Sequence, residues 1–380
     1  MGVKADVDGT AARLRSRLVR ALVRNGTLTD PAWRDAFLAV PRHVFLPRYF
    51  QQRGGRWEAV DATDEDWLTQ VYADRVLVTQ LDGDSSKWEN ARSNGPVRGA
   101  PTCSSSMPTI MAVMLEALMV KENQRVLEIG TGTGYNAALL CVRQGDHLVS
   151  TIDIDTSLAG PAAEHLAECG FHPTCAVMDG VNGYPPGAPY DRILCTCAVP
   201  RIPPAWLEQT RPGGVVVTTL SRPLGAGLVR ITAGEGATGE GRVLADDGRF
   251  MPLRAPRAQE VRWPEPDAPG STRTTTLPAG MISPTSAFEF FAGLELPGVH
   301  AAGAAQSVVL THPDGSWARH ETDVVVQSGP RRLWDEIEIA HDRWRALGEP
   351  RRARFGITVD GDSQELWLDD PAGQHRWPLP

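Results

Sequence analysis

Cysteine is sparse in this 380-residue chain, and its six positions, 103, 141, 169, 175, 195 and 197, include no Cys-x-x-Cys pair and no histidine partners at zinc-finger spacing. A structural zinc site is therefore not expected, and the cysteines read as reduced thiols rather than a disulfide framework. Positive charge is also short. The formal net charge of −8 argues against a general affinity for nucleic acid, which needs basic surface, although a peptide partner with local charge remains compatible. No apolar run reaches membrane-spanning length, and the Arg-rich, amphipathic N-terminus lacks a secretory core segment, so a cytoplasmic location with no membrane partner is expected. Internal repeats and low-complexity tracts are absent too. No Gly-Lys-Ser/Thr follows the chain's glycine-rich turn, and those glycines are spaced Gly-x-Gly-x-Gly, so the phosphate cradle of a P-loop is missing.

What is present is a soluble, enzyme-like composition. With 42% hydrophobic and 22% charged residues, the chain can bury a large core and is expected to form two domains. The run from Val126 to Tyr135 reads as a buried strand driven into a glycine turn. Gly130, Gly132 and Gly134 can adopt backbone angles closed to other residues and let the main chain approach a ligand. The run from Leu148 to Asp153 is β-branched and ends in an acid, about 20 residues after the turn. A doubly wound unit places a ribose-binding carboxylate at that spacing. Asp153 is thus the ribose candidate; the competing reading is that Asp153 or Asp155 caps a helix starting near Thr156. A third strand pattern, Ala176 to Gly180, ends in Asp179, and a fourth spans Tyr190 to Cys197. Parallel strands would present these acids along one carboxyl edge, where open α/β sheets bind ligands.

Flanking patterns complete the outline. Gly9 to Arg24 is an amphipathic helix pattern carrying Leu14, Leu18 and Leu22, and Thr29-Asp30-Pro31 starts another helix with an acid cap and an early proline. Gln80 to Pro101 is polar, with Pro96 and Gly99, and reads as a long surface loop or lid. Pro108 to Met119 reads as a helix. Leu228 to Thr232 and Gly241 to Leu244 form a predicted hairpin, and Trp263 to Gly270 a Pro-rich linker. Ser307 to Thr311 and Trp317 to His320 are strands around a Pro-Asp-Gly turn, and Leu333, Ile337, His341, Trp344 and Leu347 share a helical face stopped by Gly348 and Pro350. His341 reads as a packed histidine there. The chain ends in a strand pair with Trp367 and Trp377. Cys195 and Cys197 lie on one strand face and read as core packing, whereas Cys103, just before the serine cluster, is a candidate to line a site.

Several separated blocks together resemble the protein-L-isoaspartate O-methyltransferase family of S-adenosylmethionine-dependent enzymes. They are Val40-Pro41-Arg42-His43-Val44-Phe45-Leu46-Pro47, Tyr72 to Leu77, Ser104-Ser105-Ser106-Met107-Pro108, Met178-Asp179-Gly180, Ala188 to Ile193 and Arg211-Pro212-Gly213-Gly214. The serine block stands where the family carries Thr-Ile-Ser-x-Pro. The resemblance covers roughly residues 10 to 222 and implies an α/β, doubly wound Rossmann-like class I methyltransferase sheet with N-terminal helices. About 150 residues beyond it form an additional C-terminal α+β region. The expected division is 1–79 as helical and substrate-side elements, 80–101 as the loop, 102–222 as the methyltransferase core, 223–262 as a hairpin extension and 263–380 as a peptide-recognition domain.

The resemblance implies S-adenosylmethionine as donor and S-adenosylhomocysteine as product, held by the loop residues Gly130, Gly132, Thr133, Gly134 and Asn136 with Asp153. Glu128 is expected near the methionine moiety or steadying the glycine loop, Asp179 on the adenine amino group with Gly180 leaving room for the ring, and Thr196 near the amino-acid portion. Methyl transfer to an aspartyl or isoaspartyl carboxylate needs no general base, because a carboxyl with an ordinary pKa near 4 is already ionised. Alignment and removal of water are the task, and hydroxyls that orient a carboxylate suit it. Ser106 and Ser104 are the candidates; the competing reading for Ser106 is a cap on the helix near Pro108, and it could serve both roles. His43 and Asp74 lie in family blocks and read equally well as structural. The C-terminal addition and the serine-rich block resemble an actinobacterial branch that methylates an aspartate of modified ribosomal peptides, giving aspartimide or isoaspartate. The expected acceptor is therefore a modified precursor peptide. General isoaspartate repair, and a non-catalytic module that binds donor and peptide, are the alternatives.

Overall fold

The computed structural model of the protein describes residues 2–253, 262–265, 267–304 and 306–379. The chain divides into two compact units, the first comprising residues 1–197, 203–218 and 232–237, the second 198–202, 219–231 and 238–380.

The first unit opens with α1 (Gly2–Arg24), which buries Leu18 and Leu22, and α2 (Pro31–Ala39), capped by Asp30 accepting from the Ala32 N–H. A four-stranded antiparallel sheet follows, built from β1 (Arg48–Arg53), β2 (Arg56–Asp61), β3 (Leu77–Leu81) and β4 (Pro101–Ser105), ordered β2-β1-β3-β4. Between its strands lie α3 (Trp67–Val71) and α4 (Lys87–Asn94). The expected loop over 80–101 is thus corrected: it holds the end of β3, all of α4 and the start of β4. Its polar residues hide a short amphipathic helix whose Trp88 and Ala91, three apart, pack with Phe50, Val78 and Leu81, while the Trp88 indole N–H donates to Tyr49 O at 3.1 Å. The 1–79 segment likewise carries strands beside its helices.

After α5 (Pro108–Ala117) the α/β core begins. β5 (Val126–Ile129), α6 (Tyr135–Gln144), β6 (Val149–Asp153), α7 (Thr156–Glu168), β7 (Thr174–Val177) and β8 (Tyr190–Val199) alternate along the chain. β5 pairs in parallel with β6 and β8, and β6 with β7, with β9 (Thr210–Ser221), reached through α8 (Pro204–Glu208), beside β8. All four residues of β5 are buried, which is why this central strand reads as a continuous apolar run broken only by Glu128. The expected doubly wound α/β class is the one observed.

The second unit is α+β. β10 (Ala226–Ala233) and β11 (Thr238–Val243) form the expected hairpin. β12 (Ser271–Thr274), α9 (Ala287–Glu295), β13 (His300–Ala304), β14 (Ser307–Thr311), β15 (Trp317–Glu321) and β16 (Val324–Ser328) follow, the strands making one antiparallel sheet. Then come α10 (Leu333–Ala346), β17 (Phe355–Asp360), β18 (Ser363–Leu368) and β19 (Arg376–Pro378), with Leu366 opposite Trp377. His341 sits against Phe288 and Trp344, ring centroids 5.2 and 5.8 Å away, as a packed side chain. The expected boundary near 262 abuts residues 254–261, which lie outside the described ones.

Candidate donor and acceptor site

The turn after β5 is built on three left-handed glycines, Gly130, Gly132 and Gly134, at φ 99°, 52° and 86°. Gly130 also meets a spatial limit, because a Cβ there would lie 2.7 Å from Thr196 Oγ1 and 3.0 Å from Cys197 Sγ. Thr196 donates its hydroxyl to Gly130 O at 2.9 Å. The sequence therefore needs glycine here for both conformation and clearance.

Asp153, at the end of β6, accepts from the Gly132 N–H at 3.0 Å and from the Asp155 N–H at 3.0 Å, one on each oxygen. A carboxylate offers about four acceptor positions, so capacity remains for a diol. Asp155, not Asp153, caps α7, accepting from the Ser157 N–H at 2.9 Å. β7 ends at Val177, two residues before the acid rather than on it. Met178 N–H donates to Asp153 O at 3.0 Å, which sets Asp179 beside the β6 end. Asp179 accepts from Val181 N–H at 3.0 Å, and the carbonyl of the buried Gly180 accepts from the Trp206 indole at 2.7 Å.

Glu128 lies fully buried beneath this edge. Its oxygens accept from Asn136 Nδ2 and Thr151 Oγ1, both at 2.7 Å, and Thr151 Oγ1 is 2.7 Å from Thr131 Oγ1. Burial, only partly offset by the hydrogen bonds from Thr151 and Asn136, pushes its carboxyl up to about 7. Through Thr151 this network reaches Thr131 in the loop. Asn136, also buried, contributes its amide to the same network, and Thr133 at the loop's crest is half-buried.

The serine block approaches the same loop. A Cβ on Gly132 would lie 3.5 Å from Cys103 Sγ and 4.0 Å from Ser104 O. Ser105 is buried while Ser104 and Ser106 are half-buried, the alternation expected as β4 runs out. The block is held by Arg42, a fully buried arginine. Its guanidinium donates to Ser106 O at 3.0 Å, Ser105 Oγ at 3.2 Å, Val71 O at 2.7 Å and Ala73 O at 3.3 Å. Ser106 does not cap α5, whose cap position is Met107 without a side-chain bond. Asp74 serves there instead, accepting from the Thr109 N–H at 2.8 Å and its hydroxyl at 2.5 Å. His43 pairs with the Tyr72 hydroxyl at 2.8 Å, a structural contact. All six cysteines are free, and the Cys197 thiol is held well above its ordinary range by Cys195, burial and the field of Asp153.

Sequence reasoning did not single out Arg42 or Gln80. Gln80, also buried, donates from Nε2 to Asp155 Oδ2 at 2.9 Å and Ser157 Oγ at 3.2 Å, and accepts from Thr102 Oγ1 at 2.8 Å. The first carries a motif signal, since Arg42 stands in the Val-Pro-Arg-His block; nothing local marks the second. Among the described residues no group of three or more His, Cys, Asp or Glu is placed to hold a metal, and no helix is long and apolar enough to cross a membrane.

A family model described as protein-L-isoaspartate(D-aspartate) O-methyltransferase matches residues 85–232. A protein-L-isoaspartate O-methyltransferase of Methanopyrus kandleri is 33% identical over 216 residues, 56% of this chain and 79% of that protein. Its counterpart from Methanosarcina mazei is 34% identical over 217 residues, covering 56% of this chain and 73% of that one. A solved structure of a protein-L-isoaspartate O-methyltransferase aligns with a TM-score of 0.53 at 21% identity, over 94% of this chain and 100% of that chain. That last likeness is one of fold.

Proposed function

We propose, from the premise that this chain belongs to the protein-L-isoaspartate O-methyltransferase family, that its acceptor is the free carboxylate of isoaspartyl residues in proteins and peptides. The enzyme is an S-adenosylmethionine-dependent protein carboxyl O-methyltransferase; the proposal concerns acceptor and residue roles. One observation carries it: the strand bearing Ser104 and Cys103 comes within 4.0 Å of where a Gly132 side chain would begin. The strand that carries the serines proposed to orient the carboxylate thus runs beside the glycine turn.

The residues present suit the donor. Left-handed glycines leave the edge open, Asp153 keeps acceptor capacity for a ribose diol, and Asp179 offers a carboxylate for an exocyclic amine. S-adenosylmethionine, when bound, supplies an electrophilic methyl group on a sulfonium. The chain's own work is positional. Arg42 fixes the backbone of the serine block, and Ser106 and Ser104 orient an already ionised carboxylate without trapping it as an arginine clamp would. Thr196 holds the loop carbonyl, and Glu128 and Asn136 keep the turn in register from beneath.

Ser106→Ala is expected to slow transfer about tenfold, the size of one lost orienting hydrogen bond, while donor affinity stays within twofold. Loss of donor binding instead would remove Ser106 from the acceptor role. The second reading, an aspartate of a constrained ribosomal peptide, draws its remaining support from the serine-rich form of the block. Labelled methyl donor offered with a linear isoaspartyl peptide and a cyclised Asp peptide separates the two. Ester on the linear isoaspartyl peptide alone is expected; ester on the cyclised Asp peptide alone would overturn the proposal, and ester on neither would remove both.

A further inference from the structure

We propose that Gln80 is a positioning residue for the donor, setting the Asp153–Ser157 turn from the strand system that carries the acceptor hydroxyls; the inference rests on the reading of Asp153 as the ribose carboxylate. The geometry is a continuous hydrogen-bonded chain. Gly132 N–H donates to Asp153 Oδ2 at 3.0 Å, and Asp155 N–H donates to Asp153 Oδ1 at 3.0 Å. Asp155 accepts on Oδ1 from the Ser157 N–H at the start of α7 and on Oδ2 from Gln80 Nε2, both at 2.9 Å. Gln80 Oε1 accepts from Thr102 Oγ1 at 2.8 Å, and Thr102 Oγ1 accepts from Gly83 N–H at 2.8 Å. Thr102 lies on β4, two residues before Ser104. Gln80 itself is 3% exposed, so water does not replace its amide when the amide is lost.

The chemistry requires an amide. Asp155 needs a donor on its second oxygen, while Thr102 needs an acceptor, and Gln is the side chain of this length that supplies both. β3 carries a register irregularity between Val78 and Gln80 opposite β4, and such bulges re-aim a side chain. Here the redirected side chain reaches the α7 start, 75 residues away in sequence. Donor-side carboxylate and acceptor-side strand therefore share one rigid connection, so a change at Gln80 reaches donor affinity before it reaches the acceptor.

Gln80→Glu tests this with a signature that general damage does not produce. At pH 8 the introduced carboxylate faces Asp155 and repels it; at pH 5 the pair shares a proton and the neutral acid again donates, because facing carboxylates raise one pKa strongly. The neighbouring charges are Asp155 and, through it, Asp153; Asp82 is already paired with Lys87. Calorimetric titration with S-adenosylhomocysteine is expected to show affinity about tenfold weaker than wild type at pH 8 and within twofold at pH 5. Gln80→Leu is expected to lose about tenfold at both pH values. Circular dichroism melts confirm that each variant is folded. Wild-type affinity in both variants, or an equal loss at both pH values for Gln80→Glu, overturns the inference. Failure of the wild type to bind the product, or undiminished binding by Asp153→Ala, sinks the donor-site reading instead.

Discussion

Replacing Glu128 by glutamine is expected to stabilise the protein at alkaline pH and leave it unchanged in mild acid. Glu128 is 0% exposed, and burial raises its carboxyl from 4.5 to about 7. A folded-state pKa above the unfolded value means the native protein binds the proton more tightly. The stabilisation is complete below pH 4.5, declines as pH rises through 7 and is absent above it. The shift corresponds to roughly 3 kcal/mol. Glutamine removes the charge and keeps the connections: its carbonyl accepts from Thr151 Oγ1, and its amide can donate to Asn136 Oδ1, a buried acceptor with no partner among the described residues, once the Asn136 amide turns over. About 1–3 kcal/mol of extra stability at pH 8 follows, the lower figure allowing for imperfect amide geometry. Urea unfolding of both proteins at pH 5, 6, 7 and 8 measures it, and the difference between them cancels every titration they share. A difference independent of pH, or a variant less stable than wild type at pH 8, would refute the reasoning.

Arg42→Met keeps length and apolar stem but leaves Ser106 O, Val71 O, Ala73 O and Ser105 Oγ without their donor; a loss of about 3–5 kcal/mol is expected, read by urea unfolding, with the peptide KM rising more than the donor KM. Trp88→Ala should cost about 3–5 kcal/mol, because the indole packs with Phe50, Val78, Leu81 and Ala91; a thermal melt that moves no more than for a surface substitution would contradict the packing. Gly130→Ala combines a φ of 99° with a Cβ 2.7 Å from Thr196 Oγ1, and equilibrium dialysis should show donor affinity reduced tenfold or more.

The glycine turn and the acids beside it were legible because their parts are local or periodic. A buried strand, three glycines and an acid 21 residues after Gly132 are a pattern in one dimension, and the parallel βαβ order follows from alternating strand and helix signals. The segment 80–101 was misread for the opposite reason. α4 is eight residues long, and only Trp88 and Ala91 of it are buried, so its apolar face is too short to stand out from Asp, Ser and Asn neighbours. Arg42 and Gln80 are harder still: their partners lie 29 to 64 and 22 to 77 residues away, and a buried arginine or glutamine looks in sequence like any surface residue.

This asymmetry bears on how the two substrates are recognised. The groups proposed to face the donor belong to one βαβαβ stretch, held by its own hydrogen bonds and by Gln80 from β3, so the same turn is expected to serve the same donor wherever the stretch occurs. The serines proposed to face the acceptor lie outside that stretch, on and just after β4. β4 is an edge strand of a separate four-stranded sheet, paired with β3, and distant side chains complete its hold: Arg42 on Ser105 Oγ and Ser106 O, and Gln80 on Thr102, while Asp74 holds Thr109 at the start of α5. Arg42 bears on the serine block, whereas Gln80 also holds Asp155 and through it the donor side. Acceptor preference is therefore expected to shift in Arg42 variants with the glycine loop unchanged, and in Gln80 variants together with donor affinity; the measurement that separates the two is peptide KM against donor KM, variant by variant.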